Sequence, residues 1–432
     1  MARGRVDFMI VLSGADVVLA DRVLSPATVI IEDDVIVDVE QGARPPFDGA
    51  LHVALDGYVI VPGFIDVHVH GVAGHDVLDG PGAVRAVAER LPRWGVTAFC
   101  PTTVACAPAA LATLFGDIAA IRTGGLVTGA RVLPAHLESN FINPQYNGAQ
   151  PRECLRMPPR VSPVDVSSWL SGGAGVARNS GETCPSHTRD KSHASGTYTA
   201  EDLLRTIGAY RSDVGIVTLA SELEGGLELL RALRGAGIRV SLGHSGATYE
   251  EAMAAIEAGA RHATHLFNRM RPMSHRDPGL TGAILASEEI AAELICDGVH
   301  VHPAAMRVAI AAKRAERIMA ITDGTAGSGL PRGASAMLGG YPITVGATAT
   351  LADGTIAGSV LTMDRAFATL VGPVGVPLVD AAAMCATTPA RELGLQGLGV
   401  IAPGSKADLA VLDQSLRVRQ TWLGGVMVFS EP

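Results

Sequence analysis

Two histidines, His68 and His70, close the apolar run FIDVHVHG. In an extended strand alternate side chains share a face, so both imidazoles point the same way and can meet one metal ion. Alone, the pair reads equally well as two ordinary imidazoles at a strand end. Further acids and histidines follow apolar runs at Glu138, Glu222, His244, His265, Asp297 and Asp323. Chance does not place such groups at nearly every strand end while the strand bodies stay apolar, and the recurrence favours a metal centre. Histidines and carboxylates without cysteine suit zinc or another divalent ion in a hydrolytic site. Such an ion brings the pKa of its water to about 7 and polarises a carbonyl. A carboxylate beside that water can take its proton and pass it to a leaving nitrogen. Asp323, in ITDG, is the candidate for this step.

The runs that carry these residues alternate with Ala-rich helical stretches. The strand candidates are VIVPGFIDVHVH, GVTAFCPTTV, VLPAHLES, VGIVTLASE, GIRVSLGHS, HATHLFN, AAELICDG and RIMAITDG. Strands in this alternation predict an α/β fold, a (β/α)₈ TIM barrel whose parallel strands all end at one mouth. A doubly wound open sheet is the competitor, weakened because no GxGxxG follows the first strand. Both chain ends read instead as short strands divided by turn residues, so they predict one small β-sandwich domain. That gives residues 1–58 and 355–432 to the small domain and 59–354 to the barrel. From Met157 to Thr199 the chain is rich in Pro, Ser and Gly without a clear period. It reads as a mobile insertion, with a lid or a contact to a partner subunit as the alternative. His187 and His193 inside it read as solvated rather than ligating.

A net charge of −9 and the absence of a basic run argue against nucleic acid and an anionic membrane as partners. No apolar stretch is long enough to span a bilayer. The six cysteines, at 100, 106, 154, 184, 296 and 385, form no CxxC pair, which points to a reduced, cytoplasmic protein.

The motifs PGFIDVHVHG, AHLES, TLASE, SLGHSGATYEEA, THLFNRM, HRDPGLTGA, ICDGVHVHP, ITDG, GTIAGS and TTPARELG occur in this order. In them the chain resembles the N-acetylglucosamine-6-phosphate deacetylases, a branch of the amidohydrolase superfamily. The resemblance covers nearly the whole chain except Met157–Thr199. It implies Glu138, His244 and His265 as primary ligands of a divalent metal. His68 and His70 make a second ion possible, with Glu138 bridging, so the resemblance implies one or two ions. Zinc is the first choice, and iron, manganese and cobalt suit the same donors. It further implies Asp323 as the proton-transfer group, and Asp323 is counted with His68 and His70 among the metal ligands. Asn268, Arg269, Arg276 and His300 fall in segments that hold the substrate and its phosphate. Such contacts can cross a dimer interface in this family, which implies a homodimer. Glu222 reads as a group behind the ligands, and His302 as structural or exposed.

The pattern breaks beside the glutamate. Ser139–Asn140 stands for the family's Gly-Pro, Asn147 for a lysine, and Gln150 for a substrate-contacting histidine. The metal shell is intact while one wall of the sugar pocket has changed. The expected activity is therefore deacetylation of an N-acetyl amino sugar, N-acetylglucosamine 6-phosphate or a close relative. The alternatives are the same hydrolysis on another N-acyl sugar or cyclic amide, and a non-catalytic scaffold that keeps the fold.

Overall fold

In the computed structural model, residues 9–125, 128–160, 163–171 and 198–431 are described. His187, His193 and most of the expected insertion lie outside them. The barrel strands are β1 (Phe64–Val69), β2 (Val96–Thr103), β3 (Ala135–Leu137), β4 (Val214–Leu219), β5 (Arg239–Leu242), β6 (His262–Ala263), β7 (Ala291–Ile295) and β8 (Ile318–Ile321). Each pairs in parallel with the next. A two-residue segment, Arg131–Val132, extends β3 along the same edge of β2. The ring closes from β8 back to β1: the Asp323 amide donates to the His68 carbonyl at 2.9 Å, and Val69 bridges Gly324. All eight strands coincide with the apolar runs singled out in the sequence. Their bodies are buried on both faces, as in β2, because helices cover the outside and side chains fill the inside.

The crossover helices follow their apolar period. Pro108–Gly124 turns Leu111, Leu114, Phe115, Ile118 and Ile121 onto the barrel. Proline opens this helix, where its missing N–H costs nothing. Tyr249–Ala258 begins with a reciprocal box between Thr248 and Glu251 and stops at Gly259, whose φ of 112° is left-handed. A cap of this kind contributes about 1 kcal/mol.

The chain ends build one sheet, as expected. Its order runs Val426–Ser430, Val418–Leu423, Leu409–Leu412, Val59–Pro62, Met9–Val18, Val23–Glu32 and Val35–Gln41, with Ala50–Ala54 beside Met9–Val18. It encloses a separate apolar cluster around Leu12, Ile31, Ile60, Leu409 and Trp422. Two segments fall on the other side of the expected seams. Val59–Pro62, assigned to the barrel by sequence, pairs antiparallel with Leu409–Leu412 in the terminal sheet. Residues 363–393, assigned to the small β domain, are mostly helical, and Met363, Phe367, Leu370 and Met384 join the barrel's core. The Arg131 guanidinium joins the two cores through a bidentate pair with Asp408, at 2.8 and 2.9 Å.

Two further helices escape the sequence reading. Pro163–Leu170 forms inside the expected aperiodic insertion, where Val166 and Leu170 are buried. Gly279–Ala286 lies between β6 and β7 and is buried almost all round. A small antiparallel sheet, Ser335–Leu338, Tyr341–Val345 and Ala349–Thr350, was likewise not anticipated.

Candidate active site

Period-two alternation puts Asp66, His68 and His70 on the inner face of β1. The strand ends across the barrel bring the other groups to them. Glu138 Oε1 lies 2.7 Å from His244 Nε2 and 2.8 Å from His265 Nε2. His70 Nε2 is 3.7 Å from Glu138 Oε2 and 3.2 Å from Asp323 Oδ1. His68 Nε2 is 3.3 Å from the same Asp323 oxygen. The six residues thus form a continuous cluster at the mouth, in two trios whose donor atoms are close enough to hold an ion: Glu138–His244–His265 and His68–His70–Asp323. All are buried.

The backbone bends to make this possible. His244, His265 and Asp323 have φ of 47°, 33° and 48°, left-handed values that non-glycine residues rarely adopt. Conformations of this kind cost about 1–3 kcal/mol each and persist only where the surroundings enforce them. For Asp323 the enforcing segment is Gly358–Ser359. The Ser359 amide donates to the Asp323 carbonyl at 2.7 Å, and its hydroxyl donates to Thr322 O at 2.6 Å. A Cβ on Gly358 would stand 3.0 Å from the Asp323 carbonyl and 2.8 Å from a Thr325 methyl, so only glycine fits.

The ring hydrogen bonds fit the cluster to a divalent cation. His70 Nδ1 faces Thr102 O at 3.1 Å, His244 Nδ1 faces Tyr146 O at 2.8 Å, and His68 Nδ1 faces Glu293 Oε2 at 2.8 Å. A carbonyl or carboxylate can only accept, so each Nδ1 carries the proton and each Nε2 presents its lone pair to the cluster. The charges agree. Burial opposes ionisation of Asp323, yet hydrogen bonds from His68 and His70 hold its carboxyl far below the ordinary range. Burial likewise opposes ionisation of Glu138, but His244 and His265 hold it well down. Burial opposes protonation of His68 and His265, whereas the facing carboxylates raise both. Protons on these imidazoles therefore take the cation's place when none is bound.

A pocket of about 460 Å³ opens over the cluster. Gln150, Asn268, Arg269 and His300 line it with His70, Glu138, His244, His265 and Asp323. His300 is aimed by Asp297, which accepts its Nδ1 proton at 2.6 Å, and its buried Nε2 has no partner among the described residues. Arg276 is not in this pocket. It is exposed on the loop between Arg271 and Asp277, which pair with each other at 2.7 Å.

Gln150 does something the sequence does not suggest. Its amide oxygen accepts the Ala105 N–H at 2.6 Å, and its amide nitrogen donates to Glu138 Oε2. Its amide is thus committed to a ligand and a backbone. Glu222 takes Asn143 Nδ2, Ser245 Oγ and the Gly246 amide, so it fixes the loop after β5. His302 caps the helix that follows it, accepting the Ala304 amide at 3.1 Å. Sequence reasoning missed Glu293 and His136, both fully buried inside the barrel beneath His68. Only the unusual acid within the apolar run AAELI signals the first.

The family model described as "Amidohydrolase family" matches residues 59–428. The N-acetylgalactosamine-6-phosphate deacetylase of Escherichia coli O157:H7 is 34% identical over 376 residues, 86% of this chain and 88% of that protein. The N-acetylglucosamine-6-phosphate deacetylase of Vibrio furnissii is 32% identical over 409 residues, 92% of each. Among solved structures, a mutant Mycobacterium smegmatis N-acetyl-D-glucosamine-6-phosphate deacetylase in complex with N-acetyl-D-glucosamine-6-phosphate superposes with a TM-score of 0.81. It is 29% identical, and the match covers 98% of this chain and all of that one.

Proposed function

We propose that this chain, which belongs to the amidohydrolase family and within it to the N-acetylglucosamine-6-phosphate deacetylases, removes the acetyl group from an N-acetyl amino sugar 6-phosphate. The observation that carries the reading is the double trio of ligands with its Nε2 lone pairs turned inward, at the floor of a pocket of sugar size. A scaffold without turnover has no use for buried, backbone-strained ligands of this kind.

Glu138, His244 and His265 would hold one divalent ion, and His68, His70 and Asp323 a second; zinc suits both sets, as do iron, manganese and cobalt. When bound, the metal supplies a water nucleophile at neutral pH and draws charge from the amide carbonyl. Asp323 takes the proton from that water and returns it to the departing amine, so that acetate and a free amino sugar result. His300 Nε2, unpartnered and facing the pocket, carries the lone pair and accepts a hydrogen bond from a substrate hydroxyl or amide N–H. Asn268 and Arg269 hold the sugar or its phosphate. Gln150 acts on Glu138 more than on substrate, which revises its expected role.

Arg276, exposed and outside its own pocket, is free to reach the pocket of a second copy. We therefore read the enzyme as a homodimer in which this arginine serves the partner's site. The described cysteines are all free, which supports a reduced, cytoplasmic setting.

Two relatives act on sugars that differ in configuration, so the sugar must be measured. The experiment is acetate release from N-acetylglucosamine, N-acetylgalactosamine and their 6-phosphates. The reading expects one of the two phosphates to have the highest kcat/KM. Equal or faster turnover of the unphosphorylated sugars would remove the phosphate from the assignment, and no turnover on any of them would remove the deacetylase reading.

A further inference from the structure

The inside of a barrel is ordinarily filled by branched apolar side chains. Here a complete carboxylate, Glu293 of β7, lies there with no solvent exposure. Its Oε2 accepts the His68 Nδ1 proton at 2.8 Å and, at a longer 3.4 Å, the His265 backbone N–H. Its Oε1 has no hydrogen-bond partner among the described residues. The nearest polar ring, His136, is 3.7 Å away and otherwise engaged: its Nδ1 faces Val67 O at 3.0 Å. Its Nε2 ends a hydroxyl chain that runs from Ser241 through Thr264 to Thr218. The trio His68–His136–Glu293 is therefore not a further metal site, because both Nδ1 atoms already donate.

An ionised, half-satisfied carboxylate costs several kcal/mol to bury. For packing alone, an apolar residue of the same length would serve better. What a glutamate adds is charge, and it adds it behind one ligand. His70 and His244 rest their Nδ1 protons on neutral backbone carbonyls, and His265 Nδ1 has no partner among the described residues. Among the four histidines only His68 is backed by an anion, and the hydrogen bond turns its Nε2 toward His70 and Asp323.

We propose that Glu293 is a positioning residue for one of the two ions: it orients the His68 ring and lends negative charge to the His68–His70–Asp323 site, whereas it meets the Glu138–His244–His265 site only through the His265 backbone N–H and backs no imidazole there. The proposal rests on the two-ion reading above. It makes the two sites unequal through a group that touches neither metal nor substrate.

The test reads metal binding, not turnover. Zinc is titrated into metal-free protein by calorimetry, and retained zinc is counted by elemental analysis. His244→Asn leaves only the Glu293-backed site, and His70→Asn leaves only the other. On the His244→Asn background, adding Glu293→Gln should weaken zinc about 10–100-fold, the usual effect of losing an outer partner of a ligand. On the His70→Asn background the same change should leave zinc affinity unaltered. Glutamine keeps the shape and an oxygen for His68, so the comparison isolates charge; thermal melting of the metal-free variants checks the fold. Equal losses on both backgrounds make Glu293 structural and overturn the proposal, as does no loss on either. If the unmodified protein binds no zinc, iron, manganese or cobalt, the metal reading itself fails and the proposal falls with it.

Discussion

Asp323 and Gln150 show how differently single residues read. Asp323 ends an apolar run, and that position alone makes it the candidate for proton transfer. Asp323→Asn keeps the shape and removes the basic oxygen. We expect kcat to fall about 10²–10⁴-fold with KM little changed, measured by steady-state acetate release; a fall under about tenfold would make the residue structural. Gln150 could be recognised only as a departure, because its partners, Glu138 at the start of the same loop and the Ala105 amide after β2, are brought to it only by the fold. Truncation by Gln150→Ala strands the buried Ala105 N–H and frees Glu138. We expect a stability loss of about 1–3 kcal/mol in urea unfolding, with weaker retention of metal at the Glu138 site. If only substrate affinity changes, Gln150 touches the sugar after all. The titrating groups add a pH signature to the metal-free protein. Glu138 and Asp323 are depressed, so their contribution is full above their unfolded values of 4.5 and 3.8 and is lost as pH falls. His68 and His265 are raised, so theirs is full below 6.5 and is lost as pH rises. Thermal melting of chelated protein should therefore show the site's stabilisation greatest between about 4.5 and 6.5. Added metal should move the optimum upward, since it replaces those protons.

At the scale of elements, the barrel was legible because buried parallel strands are written as continuous apolar runs. Each run contains the strand that takes its place in the ring, although the paired segment can be as short as His262–Ala263. Pro163–Leu170 and Gly279–Ala286 were not legible for opposite reasons. The first, PVDVSSWL, sits among prolines and serines and buries only a short apolar edge. The second, GLTGAILA, is buried almost all round, so no helical period shows, and its two glycines argue against a helix. The left-handed strand ends were invisible too, since histidine and aspartate do not announce φ as glycine does. The motif GTIAGS was visible, but its work was not: it braces the bend at Asp323. Gly358→Ala forces a left-handed alanine, at φ 65°, against the Asp323 carbonyl. We expect a cost of about 1–2 kcal/mol from the backbone alone. The bend should shift with it, so kcat should fall while the Glu138 site keeps its metal. Unchanged kcat in a stable variant would show that the brace is dispensable.

For the whole molecule, the mouth is built by one barrel, and Arg276 lies outside its pocket as an exposed loop residue. Arg276→Ala should raise KM for the phosphorylated sugar by the equivalent of about 1.5–3 kcal/mol, the value of a charge-assisted hydrogen bond, and spare its unphosphorylated analogue. If the arginine acts on the partner's pocket, refolding Arg276→Ala together with Asp323→Asn gives hybrid dimers with one intact site. Activity should then exceed the sum of the two parents; a plain sum would place Arg276 in its own subunit's pocket or in neither. The measurement that tests the central claim most directly is metal replacement during acetate release from the preferred sugar phosphate. Chelated, dialysed protein should be inactive, and activity should return in proportion to added divalent metal, levelling off when the sites fill. Full turnover by protein shown by elemental analysis to hold no metal would contradict the account.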